Sequence, residues 1–396
     1  MDCKGKEIMS VGFSELGIEK DLVDELSHQG ITEPFEIQKI TIPDILKGRD
    51  VCGKAKTGSG KTIAFGLPLL QLLPASKPGK PTGLALVPTR ELAVQVCKEL
   101  EPLALKKGLR TKAIYGGTPI EKQIDFLKRG VDFVVATPGR LIDLLERGDI
   151  SVKGVEKIVI DEADRMADMG FMPQVEWILR QVEVDHQTLL FSATLDGMVS
   201  GLISRYQQDP AMHEVDSREV TVAEMQHRFI AVHEMDQVKV AASIINSSKK
   251  TIVFTKTRWG ADKLASKLLQ ENVTAAAIHG DLRQTQRERA LKDFTKGKIR
   301  TLVATDVAAR GIHVDDVEVV IHYDPASDAK TYLHRSGRTA RAGGSGVVVS
   351  LICWDQELEI RKLMRRLGLK QPIVEMFSND ERLKNLIVWN PDLEAD

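Results

Sequence analysis

Short apolar runs rich in β-branched residues recur along this chain, each followed by a loop and then a stretch of helical period. In the first half they are Val51–Cys52, Leu84–Val87, Phe133–Ala136, Ile158–Ile160 and Thr188–Phe191. The second half repeats the habit at Thr251–Phe254, Ala275–Ile278, Thr301–Ala304, Val317–Ile321 and Gly346–Leu351. Runs this short and this apolar fit strands of a parallel sheet, covered on both faces by the helices that cross between them. The intervening segments carry the helical spacing: Arg90 to Leu103 places Leu92, Val96, Leu100 and Leu103 on one side. The expected fold class is α/β, and 396 residues allow two domains, each a mostly parallel sheet flanked by helices. Gln207 to Val222 has little period and holds Asp209-Pro210, so it reads as the connection. The expected division is 1–208, a linker over 209–222, a second domain over 223–378 and a short mildly acidic extension over 379–396.

Bulk composition narrows the setting. The longest apolar stretch, Ile63 to Leu73, is broken by Gly66 and Pro68, so no membrane span and no membrane partner is expected. The first residues, with Lys4, Lys6 and Glu7 leading into Phe13 and Leu16, lack the layout of a signal peptide. Cys3, Cys52, Cys97 and Cys353 lie far apart with no C-x-x-C pair, which argues against a zinc site and for a reducing, cytoplasmic compartment. Net charge is -1, so any grip on nucleic acid has to come from a local stripe rather than from the field of the whole molecule.

The chemistry sits at the ends of the apolar runs. AKTGSGKT, Ala55 to Thr62, follows the first run and precedes a helical stretch. Such a loop can close backbone N–H groups around phosphate oxygens, with Lys61 reaching the β/γ-phosphates and Thr62 holding Mg²⁺. DEAD, Asp161 to Asp164, follows the run Lys157 to Ile160. A carboxylate at a strand's C-terminal end stands where α/β sheets bind ligands, which suits Asp161 to Mg²⁺ and Glu162 to the attacking water. Near the end of the second half, HRSGRTAR (His334 to Arg341) offers Arg338 and Arg341, three apart and able to share one helix face. Arginine there can stabilise the charge that develops on a transferring phosphoryl group.

Together these residues resemble a DEAD-box RNA helicase, in order and spacing, from about Phe13 to about Ser350. Phe13 with Gly30 to Gln38 resembles the adenine-reading Q motif, and Ala55 to Thr62 motif I. Pro88 to Ala93 resembles motif Ia, Gly116–Gly117 the GG doublet and Thr137 to Arg140 motif Ib. Asp161 to Asp164, continued by Arg165 to Phe171, is similar to motif II, and Ser192 to Thr194 to motif III. Val253 to Thr257 resembles motif IV, Gln284 with Arg287 the Q-x-x-R element, Thr305 to His313 motif V, and His334 to Arg341 motif VI.

The resemblance implies two RecA-like domains, with ATP and Mg²⁺ in the cleft between them and RNA lying across both. It makes Lys61, Asp161, Glu162, Arg338 and Arg341 the catalytic set, with Thr62 and Asp161 as metal ligands. Nucleotide contacts would come from Phe13, Gln38, Ala55, Thr57, Gly58, Ser59, Gly60, Lys61, Thr62 and Gly311. RNA contacts would come from Pro88, Thr89, Arg90, Gly116, Gly117, Thr137, Gly139, Arg140, Thr255, Gly280, Arg287 and Thr305. These are small, hydroxyl-bearing or basic positions suited to phosphate and sugar. Aromatic residues are 5% of the chain, so stacking platforms are few and binding should be largely sequence-blind. Ser192, Thr194, Asp306 and His334 are expected to couple the two sites. Two departures stand out: His313 where the family usually has Asp against the ribose, and Ala340 where Gly is commoner. The leading reading is an ATP-dependent RNA helicase acting locally, with protein partners as the candidates for directing it to a target. The alternatives are an ATP-gated RNA clamp with little turnover and a DNA translocase on the same scaffold.

Overall fold

Residues along each strand turn alternately to two different cores, and that alternation organises the fold. The computed structural model describes residues 11–55, 58–195, 197–215, 225–309, 317–339 and 346–391. The chain divides into two units, Met1–Ser217 and Arg218–Asp396. The first contains β1 (Val51–Lys54), β2 (Gly83–Leu86), β3 (Thr111–Ile114), β4 (Phe133–Ala136), β5 (Lys157–Asp161), β6 (Gln187–Ser192) and β7 (Ala211–Glu214). The second contains β8 (Gln226–Ala231), β9 (Thr251–Thr255), β10 (Ala275–Ile278), β11 (Thr301–Thr305), β12 (Val319–His322), β13 (Val347–Ile352) and β14 (Ile373–Glu375).

Each sheet has seven strands, in the orders β3-β4-β2-β5-β6-β1-β7 and β10-β11-β9-β12-β13-β8-β14. The second order is the first with seven added to every strand number, so the two units share one topology. Every pairing between these strands is parallel. A parallel sheet needs helices on both faces, and the cores show it. Val51, Ala85, Val159, Leu189 and Phe191 belong to one core of the first unit, while Cys52, Leu84, Leu86, Ile158, Ile160 and Leu190 belong to the other.

The sequence did not announce four of the strands. β3 and β7 lie at sheet edges, with Lys112, His213 and Glu214 breaking their apolar pattern, and β14 is only three residues long. β8 carries Gln226, His227 and Arg228, yet His227 and Arg228 are buried, so polar identity hid a strand paired on both sides. β7 falls inside the stretch read as a linker, held to β1 along its whole length. Residues beyond 378 also pack: Leu383 and Leu386 are buried in the second unit's core with Val240 and Ile244.

The helix Arg90–Lys106 shows how local signals and packing agree. Thr89 caps it by accepting from the backbone of Leu92, and Leu92, Val96, Leu100 and Leu103 are buried as their spacing implies. It packs against the helix Lys61–Leu72 that follows the phosphate loop. Gly66 on that helix leaves no room: a Cβ there would stand 2.2 Å from Leu100 Cδ2. Gly66→Leu is therefore expected to destabilise the first unit by about 1–3 kcal/mol through overpacking. Urea unfolding of the full chain reads this; an unchanged first-unit midpoint would mean that the helix pair is looser than the geometry requires.

Candidate nucleotide site and nucleic-acid face

In the first unit the catalytic candidates are gathered by three adjacent strands. β1 feeds the glycine loop, β5 ends in Asp161, and β6 ends in Ser192. Gly58 and Gly60 adopt φ of +87° and +83°, a region open to glycine and strained for other residues, which turns the loop into the helix starting at Lys61. Ala55 is buried and donates its backbone N–H to the Ser192 carbonyl, so the loop's root is pinned to β6. Thr57 lies outside the described residues.

Lys61 Nζ stands 3.8 Å from Asp161 Oδ1, with both side chains nearly buried. At that distance the attraction is about 4 kcal/mol at an effective dielectric near 20, against a desolvation cost of several kcal/mol for each ion. Burial wins: it pushes the Asp161 carboxyl above the ordinary carboxylate range, Lys61 pulls it back down, and neighbouring Glu162 adds to the rise. Thr62 hydrogen-bonds to Glu99 on the neighbouring helix, and burial raises the Glu99 carboxyl as well. Nothing in the sequence marked Glu99; only the helix packing brings it to the phosphate loop.

Glu162 is held at φ 53°, ψ 49°, a left-handed conformation that costs a non-glycine residue about 1–3 kcal/mol. Its backbone N–H donates to Asp161 Oδ1 at 2.9 Å, and its carboxylate pairs with Arg165 at 2.7 Å. The next carboxylate residue, Asp164, donates its backbone N–H to Ser192 Oγ at 3.1 Å, while that hydroxyl donates to the Thr194 carbonyl at 2.6 Å. The acidic tetrad and the SAT segment are thus bonded directly.

Gln38 is buried and does a job that spacing did not reveal. Its Oε1 accepts from the Phe35 backbone at 2.8 Å, and its Nε2 donates to the Gly60 carbonyl at 2.9 Å. Phe13 is 2% exposed and sits in the core, with little ring face to offer a ligand.

The nucleic-acid candidates of this unit occupy the other side of the same edge, after β2, β4 and β3. The Arg90 guanidinium lies over the glycine pair, so that a Cβ on Gly117 would meet its Nη1 at 2.1 Å. Arg140 Nη2 donates to the Thr118 carbonyl at 3.2 Å, and the Thr137 backbone to that of Ile114 at 2.9 Å. Arg90, Gly116, Gly117, Thr137 and Arg140 are thereby one neighbourhood; Pro88 is buried at its root and Gly139 is exposed at its surface.

The second unit repeats the arrangement. Thr255, Thr305 and Gly280 stand at or just past the ends of β9, β11 and β10. Arg258, which the sequence reading passed over, lies by Gly280 and pairs with Asp281 at 2.5 Å. Arg287 donates to the Ala308 carbonyl at 3.4 Å. Asp306 is gripped by Arg335 through two hydrogen bonds, 2.6 Å to Oδ1 and 2.8 Å to Oδ2, and Arg335 also donates to the Asp324 carbonyl. His334 is exposed beside it. Of the two arginines expected to share a helix face, the described residues include Arg338 alone. The helix Ala329–Ser336 stops at Gly337, leaving Arg338 in the turn beyond, and the residue the helix turns inward is Arg335. Arg341, Gly311, His313 and Ala340 lie outside the described residues.

Two family models match the chain: the DEAD/DEAH box helicase over residues 35–200 and the helicase conserved C-terminal domain over 236–343. The ATP-dependent RNA helicase CshA of Listeria monocytogenes is 40% identical over 342 residues, 86% of this chain and 66% of that protein. The CshA of Geobacillus kaustophilus is 40% identical over 342 residues, 86% of this chain and 73% of its own. This chain therefore spans about two thirds to three quarters of those relatives' length. Among solved structures, S. cerevisiae Dbp5 bound to RNA and ADP BeF3 is similar with a TM-score of 0.80 at 27% identity, covering 95% of this chain and 98% of that one. The helicase Mss116 bound to ssRNA and UDP-BeF gives 0.79 at 26%, covering 96% of this chain and 84% of its own.

Beneath Arg335 lies a buried histidine. Among the described residues neither ring nitrogen of His322 has a hydrogen-bond partner, and the ring is walled by Phe254 and Tyr332, with ring centroids 6.2 and 4.7 Å away. Burial, then the charge of Arg335, then His227 hold its pKa well below the ordinary histidine value. Its neutral form therefore stabilises the fold above the unfolded-state pKa, and that contribution drains as pH falls, because the unfolded chain takes the proton first. The second unit is expected to lose about 1.4 kcal/mol per pH unit below roughly pH 6.5 from this group. In His322→Asn that component of the slope should vanish, as read by thermal unfolding between pH 5 and 7; an identical slope in the variant would acquit His322.

Proposed function

The chain belongs to the DEAD-box ATP-dependent RNA helicases, and from that membership we propose that it remodels RNA locally, binding it largely without regard to sequence and spending ATP. The observation that carries this reading is the arrangement of one sheet edge. β1, β5 and β6 present the phosphate loop and carboxylates, while adjacent β2, β4 and β3 present Arg90, the glycine pair and Arg140. The hydroxyl of Ser192, bonded to both Asp164 and Thr194, ties the acidic segment to the SAT turn.

In this reading Lys61 and the loop backbone take the β/γ-phosphates, and Glu162, anchored by Arg165, orients the attacking water. The donor set suits Mg²⁺, which takes few protein ligands and keeps water and phosphate oxygens for the rest of its octahedron. Asp161 and the Thr62 hydroxyl would hold it, and when bound it offsets phosphate charge. Arg338 and Arg341 are the second unit's candidates for further positive charge. Asp306 acts through Arg335, which fixes the segment leading to Arg338. The nucleic-acid contacts are small residues and guanidiniums at strand ends, suited to phosphate and sugar.

Glu162→Gln is expected to keep ATP and RNA binding while turnover falls by 100-fold or more, roughly the share of a general base. Near wild-type steady-state hydrolysis by this variant with RNA present would unseat Glu162 from that role. A second measurement addresses the polymer. RNA should stimulate hydrolysis strongly and a matched single-stranded DNA weakly, since a 2′-hydroxyl distinguishes the sugars. Equal stimulation by both would replace the RNA reading with that of a DNA translocase.

A further inference from the structure

β9 ends at Thr255, and after Lys256 and Thr257 the helix Arg258–Gln270 begins with a tryptophan in its second position. Trp259 is 70% exposed. The helix turns Ala261, Leu264 and Leu268 into the core, and Leu268 lies about two and a half turns further on, which puts Trp259 on the opposite, outward side. Its first turn is held firmly. The Thr257 hydroxyl accepts the Gly260 N–H at 3.0 Å, and the Thr255 hydroxyl donates to the Thr257 carbonyl at 3.3 Å. An indole on a capped turn is aimed outward by the backbone that carries it.

Lone apolar side chains on a surface are ordinary. What sets Trp259 apart is its company. Lys263, one turn on, holds its Nζ 4.4 Å over the centroid of the indole, so a cation covers one face of the ring while most of the side chain stays open to water. Arg258, the residue before it, reaches to Gly280 and Asp281; a Cβ on Gly280 would stand 3.7 Å from Arg258 Nε. Thr255, Gly280 and Thr305 are the second unit's candidates for the RNA backbone, so the indole stands at the margin of the patch expected to meet a polynucleotide. Trp354 is also exposed, but it follows β13, with β12 between that strand and β9.

We propose that Trp259 is a stacking platform for one base of bound single-stranded RNA, a reading that rests on RNA as the polymer this helicase engages. The residues around it are suited to phosphate and sugar, which fix the position of a strand. Stacking adds a different demand. A base inside a duplex has both faces covered by its neighbours, so only an unstacked base, or one at a strand end, can lie on the indole. The platform therefore favours single strand over duplex at this margin, and it does so for any base, because every base has a π-face. Aromatic residues are few in the chain, but their number says nothing of where one is exposed.

The test measures binding of a short labelled single-stranded RNA to the full chain, with Mg²⁺ and a non-hydrolysable ATP analogue, by fluorescence anisotropy. Trp259→Ala should weaken binding by about fivefold or more and Trp259→Phe by about twofold or less, with Trp259→Leu close to Ala, because the base meets a π-face rather than apolar bulk. The slope of log affinity against log salt should be the same in all three as in the wild type, since no phosphate contact is removed. An abasic nucleotide moved along the strand should cost the wild type a comparable loss at one position, and cost Trp259→Ala nothing further there. The inference is overturned if Trp259→Ala binds RNA as the wild type does, which would leave the indole to a protein surface. It is overturned as well if Leu serves as well as Phe, if the salt slope of Trp259→Ala is shallower, or if the Ala and abasic losses add at every position. Wild-type protein that binds no RNA would overturn the RNA reading itself, and the stacking inference with it.

Discussion

Parallel pairing forces every strand of a sheet to end on the same edge, and both units of this protein are built on that constraint. A strand's last residues lose their ladder partners there, so the backbone beyond is free to turn toward a ligand. With the order β3-β4-β2-β5-β6-β1-β7, the segments after β1, β5 and β6 fall side by side, and so do those after β2, β4 and β3. Residues a hundred positions apart, such as Lys61 and Asp161, become neighbours because the strands that carry them end on one edge. The second unit uses the same order, which places Thr255, Gly280 and Thr305 in positions matching those of the first.

The chemistry at that edge is arranged by burial as much as by attraction. Lys61 and Asp161 are close, but burial raises the Asp161 carboxyl by more than Lys61 lowers it. Glu162 adds a second unrelieved cost in its left-handed backbone. Strain of this kind survives where surrounding bonds over-determine it, and here they do: the Glu162 N–H to Asp161, the Arg165 pair, and the Asp164 N–H to Ser192 fix the turn from three sides. The same bonds join the acidic segment to Ser192 and, through its hydroxyl, to Thr194.

In the second unit a different pair carries the same kind of duty. Arg335 is buried and forks onto Asp306, so the end of β11 and the helix before Arg338 cannot move independently. Its guanidinium also stands 5.3 Å over the Phe254 ring, with His322 and Tyr332 packed beneath. The bidentate geometry and the aromatic floor both select arginine over lysine.

Much of this was legible in the residues alone. The strand–loop–helix rhythm, the glycine loop before Lys61, the acidic residues after β5 and the arginines near the end follow from local pattern, because period, turn chemistry and backbone freedom are properties of neighbours in sequence. Tertiary structure decided the rest. The polar strand β8 and the edge strand β7 form because partners satisfy their backbones, not because their side chains ask for it. The burial of Phe13, the exposure of Trp259, the place of Glu99 beside Thr62 and of Arg335 beneath Asp306 all depend on which surfaces meet when the helices cover the sheet. A sequence states what each residue is able to do. Whether it is wet or dry, paired or left facing a ligand, is set by neighbours that only the folded chain brings near.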